Sequence, residues 1–501
     1  MQLIPYILIV PLAAAFLILL VGKRVRWSSD ILAVAATLTL AVLSFGIAGE
    51  VIKHKILVYK VGNWMPPAGI SMVVDSLSAF LLVAINTVAF LVAVYSIGYM
   101  KKYTDKWKFY TLFALMLAGM NGVLAAGDIF NLYVFLEIAA ISGYFLVAFG
   151  IEPDALEAAF KYAVMGAVAS AFIFLGIGFL YAGTSTLNMA DMASFLAVNK
   201  EPGMIFFVSI LFLMGFGLKA ALVPFHAWLP YAHSSAPAPV SAMLSGISIK
   251  VLGIYALARI FFNVFGLTPA VSWILISFAV LSMVVGALMA FGQSDIKRLF
   301  AYSSISQIGY IALGLGVGTP LAILGSLFHL ANHSIFKSLL FLNSGSIEGI
   351  SGTRNLSKIS GIIERSPVTG YTNLVAALSI CGMPPLGGFW SKVIIILACI
   401  QANRPILALV AAVVSILTLA YYFRALTPVL FGKEKAGSPN KVYKVAWSMA
   451  VPMVILAVLS AISALLILPA GWNGANILLK DAASVLTDGK NYAAAVIGAL
   501  R

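Results

Sequence analysis

Charge is scarce in this chain. Only 10% of its 501 residues are charged, against 62% hydrophobic, and that balance excludes an ordinary soluble domain. Acidic residues are scarcer still, 17 against 31 Lys and Arg, giving a net charge of +14. No soluble module carries this excess, so there is no basic face for nucleic acid. The excess reads as loop lysines and arginines on one side of a membrane. Only two cysteines occur, Cys381 and Cys399, both in apolar surroundings. Two thiols hold neither an iron–sulfur cluster nor a metal centre alone, and no disulfide framework is visible. No cofactor and no metal are expected, and any redox chemistry must come from partners. The alternating pattern of a membrane β-barrel is missing. The N-terminus lacks the basic stretch that opens a signal peptide. Its positive cluster follows the apolar run, which reads as a retained first span with the N-terminus outside.

What is present is a series of apolar runs of about 20 residues, the length of a membrane-crossing helix. They predict an all-α polytopic membrane protein of about 14 spans, bounded roughly at 3–22, 30–49, 72–97, 109–126, 129–149, 159–182, 204–229, 240–264, 270–291, 300–317, 319–345, 370–400, 405–430 and 446–468. An N-outside start makes the loops Lys23–Trp27, Lys101–Lys108, Gln293–Arg298, Ser351–Pro367 and Gly432–Lys444 cytoplasmic. These hold sixteen Lys and Arg, among them Arg26, Lys435 and Lys441. The opposite loops and tail hold eight, among them Lys200, Lys490 and Arg501. The bias agrees with the positive-inside rule for a multi-pass protein of the cell membrane.

Four units follow: an N-terminal three-helix unit (1–108), a five-helix repeat (109–264), a second five-helix repeat (270–430), and a last span with a C-terminal tail (431–501). An odd number of spans per repeat inverts one copy relative to the other. The fourth helix of each repeat is broken. In GFGLKAALVPFHAWLP, Pro224 interrupts a helix carrying Lys219; in CGMPPLGGFWSKVIIIL, Pro384-Pro385 and Gly387-Gly388 interrupt one carrying Lys392. Tail residues 471–501 are expected to hold an interfacial helix.

Charge inside a membrane is costly, so each buried ionisable residue invites a functional reading. Glu137 lies mid-span, with Lys219 as its natural partner; such a pair shares a proton or forms a static ion pair. Lys250 sits deep in its span with no carboxylate nearby in sequence. His329, His333 and Lys337 recur every fourth residue, which places them on one helix face about 6 Å apart along the axis. Two histidines before a lysine suit a water-bridged proton relay; Lys337 reads equally as structural. A histidine pair at this spacing suits a metal only with a third ligand, and none is near. Lys392 follows its break and either relays protons or caps freed carbonyls. His226 and His233 are candidates for a proton entrance or for loop caps. Asp75 and Asp128 are placed at span ends, Arg259 is expected to snorkel to a surface, and Asp295, Lys297 and Arg298 read as a solvated turn. A sodium site wants several oxygen ligands. This line offers amines, imidazoles and one carboxylate, which suits protons better.

GDIFNLYVFLEI, GLKAALVPFHAWLPYAHSSAPAPVSAMLSGISIK, SDIKRLFAYSSISQIGY, FHLANHSIFKSLLF and GMPPLGGFWSK together resemble the antiporter-like proton-translocating subunits of respiratory complex I and of Mrp cation/proton antiporters, the Mrp D subunit in particular. The same module occurs in membrane-bound hydrogenases and sulfur-reducing complexes. The resemblance implies a 14-helix fold with inverted repeats. It makes Glu137 and Lys219 the coupled pair, Lys250 the connecting group, the histidines the central relay and Lys392 the distal site. It implies a non-catalytic subunit of an oxidoreductase or antiporter complex, partnered by other membrane subunits, that conducts protons, with any sodium moving through those partners. The rival reading is a stand-alone secondary cation/proton antiporter.

Overall fold

This computed structural model describes residues 3–25, 27–199, 202–433, 444–467 and 473–500, with the side chains of 473 and 490 left out. Arg26, Lys200, Lys435, Lys441, Arg501 and the Lys490 side chain, used in the charge bias, lie outside the described residues. So does the middle of the Gly432–Lys444 loop.

In hydrocarbon every backbone N–H and C=O must be bonded within its own segment, so apolar runs become helices. Their ends sit where the residues change. The N-terminal unit holds α1 (Tyr6–Val21), α2 (Ser28–His54) and α3 (Ser76–Tyr99). Between α2 and α3 lies a hairpin, β1 (Ile56–Lys60) antiparallel to β2 (Ser71–Asp75), with Ile56 opposite Asp75. These five-residue strands are too short for their pattern to stand out beside runs of helical length.

Next come α4 (Lys106–Ala125), α5 (Ile129–Val147), α6 (Pro153–Thr184), the short α7 (Met189–Val198) and α8 (Pro202–Lys219). Asp75, Asp128 and Asn188 cap α3, α5 and α7, each side chain accepting from a backbone N–H of the first turn. Lys219 is the last residue of α8. The chain then loops to α9 (Trp228–Ser235) and α10 (Ala238–Met243). From Leu244 to Val264 the helix runs through π-helical stretches, Leu244–Ser248, Lys250–Tyr255 and Arg259–Val264, with one α turn, α11 (Ala256–Ala258).

The second half holds α12 (Pro269–Phe291), α13 (Ile296–Val317), α14 (Pro320–Ser351), the short α15 (Ile362–Arg365), α16 (Pro367–Cys381), α17 (Gly387–Gln401) and α18 (Pro405–Phe431). Proline opens α12, α14, α16 and α18, where its missing N–H is not needed. Gly318, Gly352 and Gly382 end α13, α14 and α16 at positive φ. Last come α19 (Trp447–Ile462) and two tail helices, α20 (Asn473–Thr487) and α21 (Gly489–Leu500).

Among the described residues, eleven helices are long and apolar enough to cross a membrane. Three further expected spans fall outside that count for visible reasons. α1 has only 16 residues. α14 is long, at 32 residues, but polar. The span expected over 370–400 is split into α16 and α17, each of 15 residues. The centre of the molecule is the 238–264 segment with α13, both wholly buried in their apolar windows, packed on α14.

Candidate functional site

At the first break, α8 stops at Lys219. Ala221 takes a positive φ of 56°, which forces the chain off the helical path. Trp228 donates Nε1–H to the Leu218 carbonyl at 3.0 Å, and the Val223 N–H donates to Ser282 Oγ at 2.9 Å. The freed backbone is thereby satisfied without closing the helix. Lys219 is 5% exposed, and its Nζ lies 3.1 Å from Glu137 Oε1 on α5. Ser170 on α6 donates to the same carboxylate oxygen. Glu137 faces outward more than its partner, with 22% of its side chain exposed.

Lys250 is 1% exposed. Its Nζ donates to the carbonyls of Ser245 (2.5 Å) and Gly246 (2.6 Å) in its own helix. A π-helix bonds each N–H five residues back rather than four, and this wider turn carries the Lys250 seat. A Cβ on Gly253 would meet the Ala220 backbone at 2.5 Å. Glycine there lets the Lys250 segment lie directly on the residue after Lys219.

α14 carries the next groups. His329, His333 and Lys337 are wholly buried. The two imidazole centroids are 6.2 Å apart. Neither nitrogen of His333 meets a hydrogen-bond partner. The charges of Lys250, Lys337 and Lys392 all act on His333. Lys337 Nζ donates to the Phe300 carbonyl at 2.6 Å and to Ser303, and Ser303 exchanges a hydrogen bond with Tyr422 at 2.9 Å.

His329 Nδ1 lies 2.8 Å from Ser391 Oγ, the residue before Lys392. Lys392, 2% exposed, donates to the Ile380 carbonyl in the last turn of α16 at 2.8 Å and sits 5.2 Å over the Tyr310 ring. A Cβ on Gly388 would overlap the Ser379 carbonyl oxygen, so only glycine admits this crossing of α17 over α16. The two breaks differ in one respect. Lys219 precedes its break, whereas Lys392 follows its own.

His226 and His233 part company. His226 lies in the loop of the first break, partly exposed. His233 is wholly buried and stacks on Phe341 of α14 with centroids 4.9 Å apart. Among the described residues no group of three His, Cys, Asp or Glu is placed to hold a metal, and Cys381 and Cys399 are free and buried.

Asp75 stands at the end of its span, as the N-cap of α3, but it is buried and receives two bonds from Arg259, Nη1 at 2.6 Å and Nη2 at 2.8 Å. Two expectations are overturned. Arg259 does not snorkel; it is 2% exposed and lies 5.0 Å from the Tyr492 ring of α21. Lys297 is not in a solvated turn. It is 2% exposed, donates to the Ala236 carbonyl at 2.9 Å, and stands 3.8 Å from Glu348. The available signals were the helix cap after Asp75 and the arginine nine residues beyond Lys250, but π-helical phase hides which face Arg259 takes.

Fold and site together define a polytopic α-helical membrane protein with ionisable side chains buried between two broken helices. The chain belongs to the transmembrane family of NADH:quinone oxidoreductases and Mrp antiporters, whose description "NADH:quinone oxidoreductase/Mrp antiporter, TM" matches residues 126–418. A second description, the N-terminus of chain 5 of NADH-ubiquinone oxidoreductase (complex I), matches residues 64–110. The N subunit of the NADH-quinone oxidoreductase of Desulforudis audaxviator is 38% identical over 426 residues, 84% of this chain and 85% of that one. The D subunit of the Na(+)/H(+) antiporter of Alkalihalophilus pseudofirmus is 34% identical over 428 residues, 85% of this chain and 86% of that one. In fold, a chain of the membrane-bound sulfane sulfur reductase, an archaeal respiratory membrane complex, superposes with a TM-score of 0.91 at 31% identity, covering 99% of this chain and all of that one.

Proposed function

We propose that this chain is a membrane subunit of a multisubunit ion-translocating complex. It conducts protons through Glu137, Lys219, Lys250, His333, His329 and Lys392, and partner subunits couple the flow to redox chemistry or to sodium–proton exchange. The observation that carries this reading is the buried row itself. Amines and imidazoles follow one another from α8 through the π-helical segment and α14 to α17, with an ion pair at one end and a broken helix at each. Burying so many cationic groups destabilises a fold, and isolated buried charges contribute no net stability. Their retention fits a use for them. Ammonium groups donate only and repel cations, so the row suits protons and not sodium. The two relatives are named as subunits of an oxidoreductase and an antiporter, which supports a subunit rather than a free-standing carrier.

When Glu137 moves from Lys219 or is neutralised, Lys219 loses the charge that holds its proton. That proton then passes toward Lys250. From there it reaches His333 and His329, across a spacing that one water bridges, and then Lys392 beyond Ser391. The units 109–264 and 270–430 form two inverted repeats, each contributing one broken helix. In the cell membrane, with the N-terminus outside, the Lys219 half opens to the cytoplasm and the Lys392 half to the outside. The test is Glu137→Ala and Lys219→Ala in the assembled complex, read as proton transport in sealed vesicles. Transport is expected to vanish while assembly persists; normal transport refutes the reading.

A further inference from the structure

Where α12 and α18 finish, a cavity of about 500 Å³ opens between them and the loop after α14. That volume lies within the range of small-ligand sites, roughly 300–1,000 Å³. Three segments wall it: the turn after α12 through Ser294, the loop after α14 through Ser360, and the end of α18 through Lys433. A Cβ on Gly432 would meet Ser360 Cβ at 3.3 Å, so two of these walls touch directly. All three segments belong to loops that the charge bias reads as cytoplasmic.

The charge of the lining is one-sided. Arg424 of α18 and Lys433 line the cavity, and among the described residues no Asp or Glu does. Exposed Lys358 stands between two lining residues, Ser357 and Ile359. Asp295, beside Ser294, is committed elsewhere: it caps α13 and pairs with Arg354 at 3.3 Å. Arg424 lies seven residues before the end of α18, about 10 Å at 1.5 Å per residue. Its guanidinium sits 4.7 Å over the Phe291 ring and reaches the Phe291 carbonyl at 3.5 Å. Capping α12 in this way uses one of five N–H donors at the outer limit of a hydrogen bond. The rest of the fork suits the paired oxygens of a phosphate. The same two helices carry exposed apolar side chains along their spans, Leu281 and Leu288 on α12 and Ile416 and Phe423 on α18.

We infer that this cavity seats the headgroup of an anionic phospholipid, with its phosphate on Arg424 and Lys433 and its acyl chains along α12 and α18. Basic pockets between membrane helices on the cytoplasmic side recognise such headgroups by charge. A soluble phosphate would use the cations but leave the apolar faces unmatched. Tyr421 also lines the cavity. The next residue, Tyr422, exchanges a hydrogen bond with Ser303, which accepts from Lys337. The site thus stands one residue from the buried row, yet it does not rest on the proton-conducting reading.

The experiment illuminates the purified, assembled complex with phosphatidylglycerol that carries a photoactivatable group in its headgroup. Labelled peptides are then mapped by mass spectrometry. Labelling is expected in 293–299, 356–360 and 424–433. Unlabelled phosphatidylglycerol should compete it away, whereas phosphatidylcholine with the same acyl chains and glycerol phosphate should not. These competitions use the parent complex and need no variant to fold. Losing one cation beside an anionic headgroup weakens binding about five-fold, so Arg424→Gln at normal complex abundance should need about that much more lipid for equal labelling. Arg424→Gln combined with Lys433→Gln should need more again, and Arg424→Lys less than Arg424→Gln. Equal competition by phosphatidylcholine would mean an unselective lipid shell, and equal competition by glycerol phosphate a site for soluble phosphate. Cross-linking of a partner subunit across the cavity in place of lipid would mean a protein occupant. Each of these overturns the assignment, as does unchanged labelling in the double variant.

Discussion

Asp75 and Arg259 are the most strongly paired charges in the interior, both bonds at or below 2.8 Å. Removing one partner of a buried pair strands the other and costs about 3–5 kcal/mol. Arg259→Leu should therefore lower the thermal unfolding temperature of the purified complex and its yield. Asp75→Leu combined with Arg259→Leu should recover most of that loss, because an apolar pair strands no charge. A harmless Arg259→Leu would show the pair to be a bystander. This residue-scale feature was not legible in the sequence. Arg259 stands near a helix end, where snorkelling is the ordinary outcome, and nothing in the spacing places Asp75, 184 positions away, beside it. By contrast, the face shared by His329, His333 and Lys337 was legible, because a four-residue recurrence on an unbroken α-helix fixes direction. Lys297 was misread for a similar physical reason. DIKR looks like a surface turn, and its burial comes from the loop after α9 folding over it.

At the scale of elements, each broken helix depends on close backbone contact. Gly388→Ala would drive a methyl group into the Ser379 carbonyl, and Gly253→Ala would place one 2.5 Å from the Ala220 backbone. Neither neighbour is a flexible side chain, so backbone must shift. Gly388→Ala is expected to displace Lys392 from the Ile380 carbonyl and lower proton transport several-fold. Gly150→Ala, where an added Cβ meets nothing within 4 Å, should leave transport unchanged. Proton transport of the two assembled variants, normalised to complex abundance, checks this, and equal rates would remove the close approach from the account. The breaks could be read from Pro224 and from the Pro-Pro and Gly-Gly pairs, since these residues interrupt apolar helices by loss of N–H or of side chain. The π-helical run could not. Leu244 to Val264 holds no proline, and its wider turns lie packed against α8 and α14. The hairpin before α3 escaped for want of length.

At the scale of the whole molecule, the ends of the row lie on different elements of two halves, and Glu137, with 22% of its side chain exposed, reaches the protein surface. The chain purified alone in liposomes should catalyse no coupled antiport, whereas the complete complex should translocate protons; antiport by the isolated chain would favour the stand-alone reading. The most direct measurement of the central claim concerns His333. Its ring is wholly buried and neither nitrogen finds a hydrogen bond. A buried polar group so placed costs about 1–3 kcal/mol, so leucine should hold the fold at least as well. Proton flux through the assembled His333→Leu complex in sealed vesicles is predicted to fall at least ten-fold at normal complex abundance. Flux equal to that of the parent complex would contradict the row as a proton path.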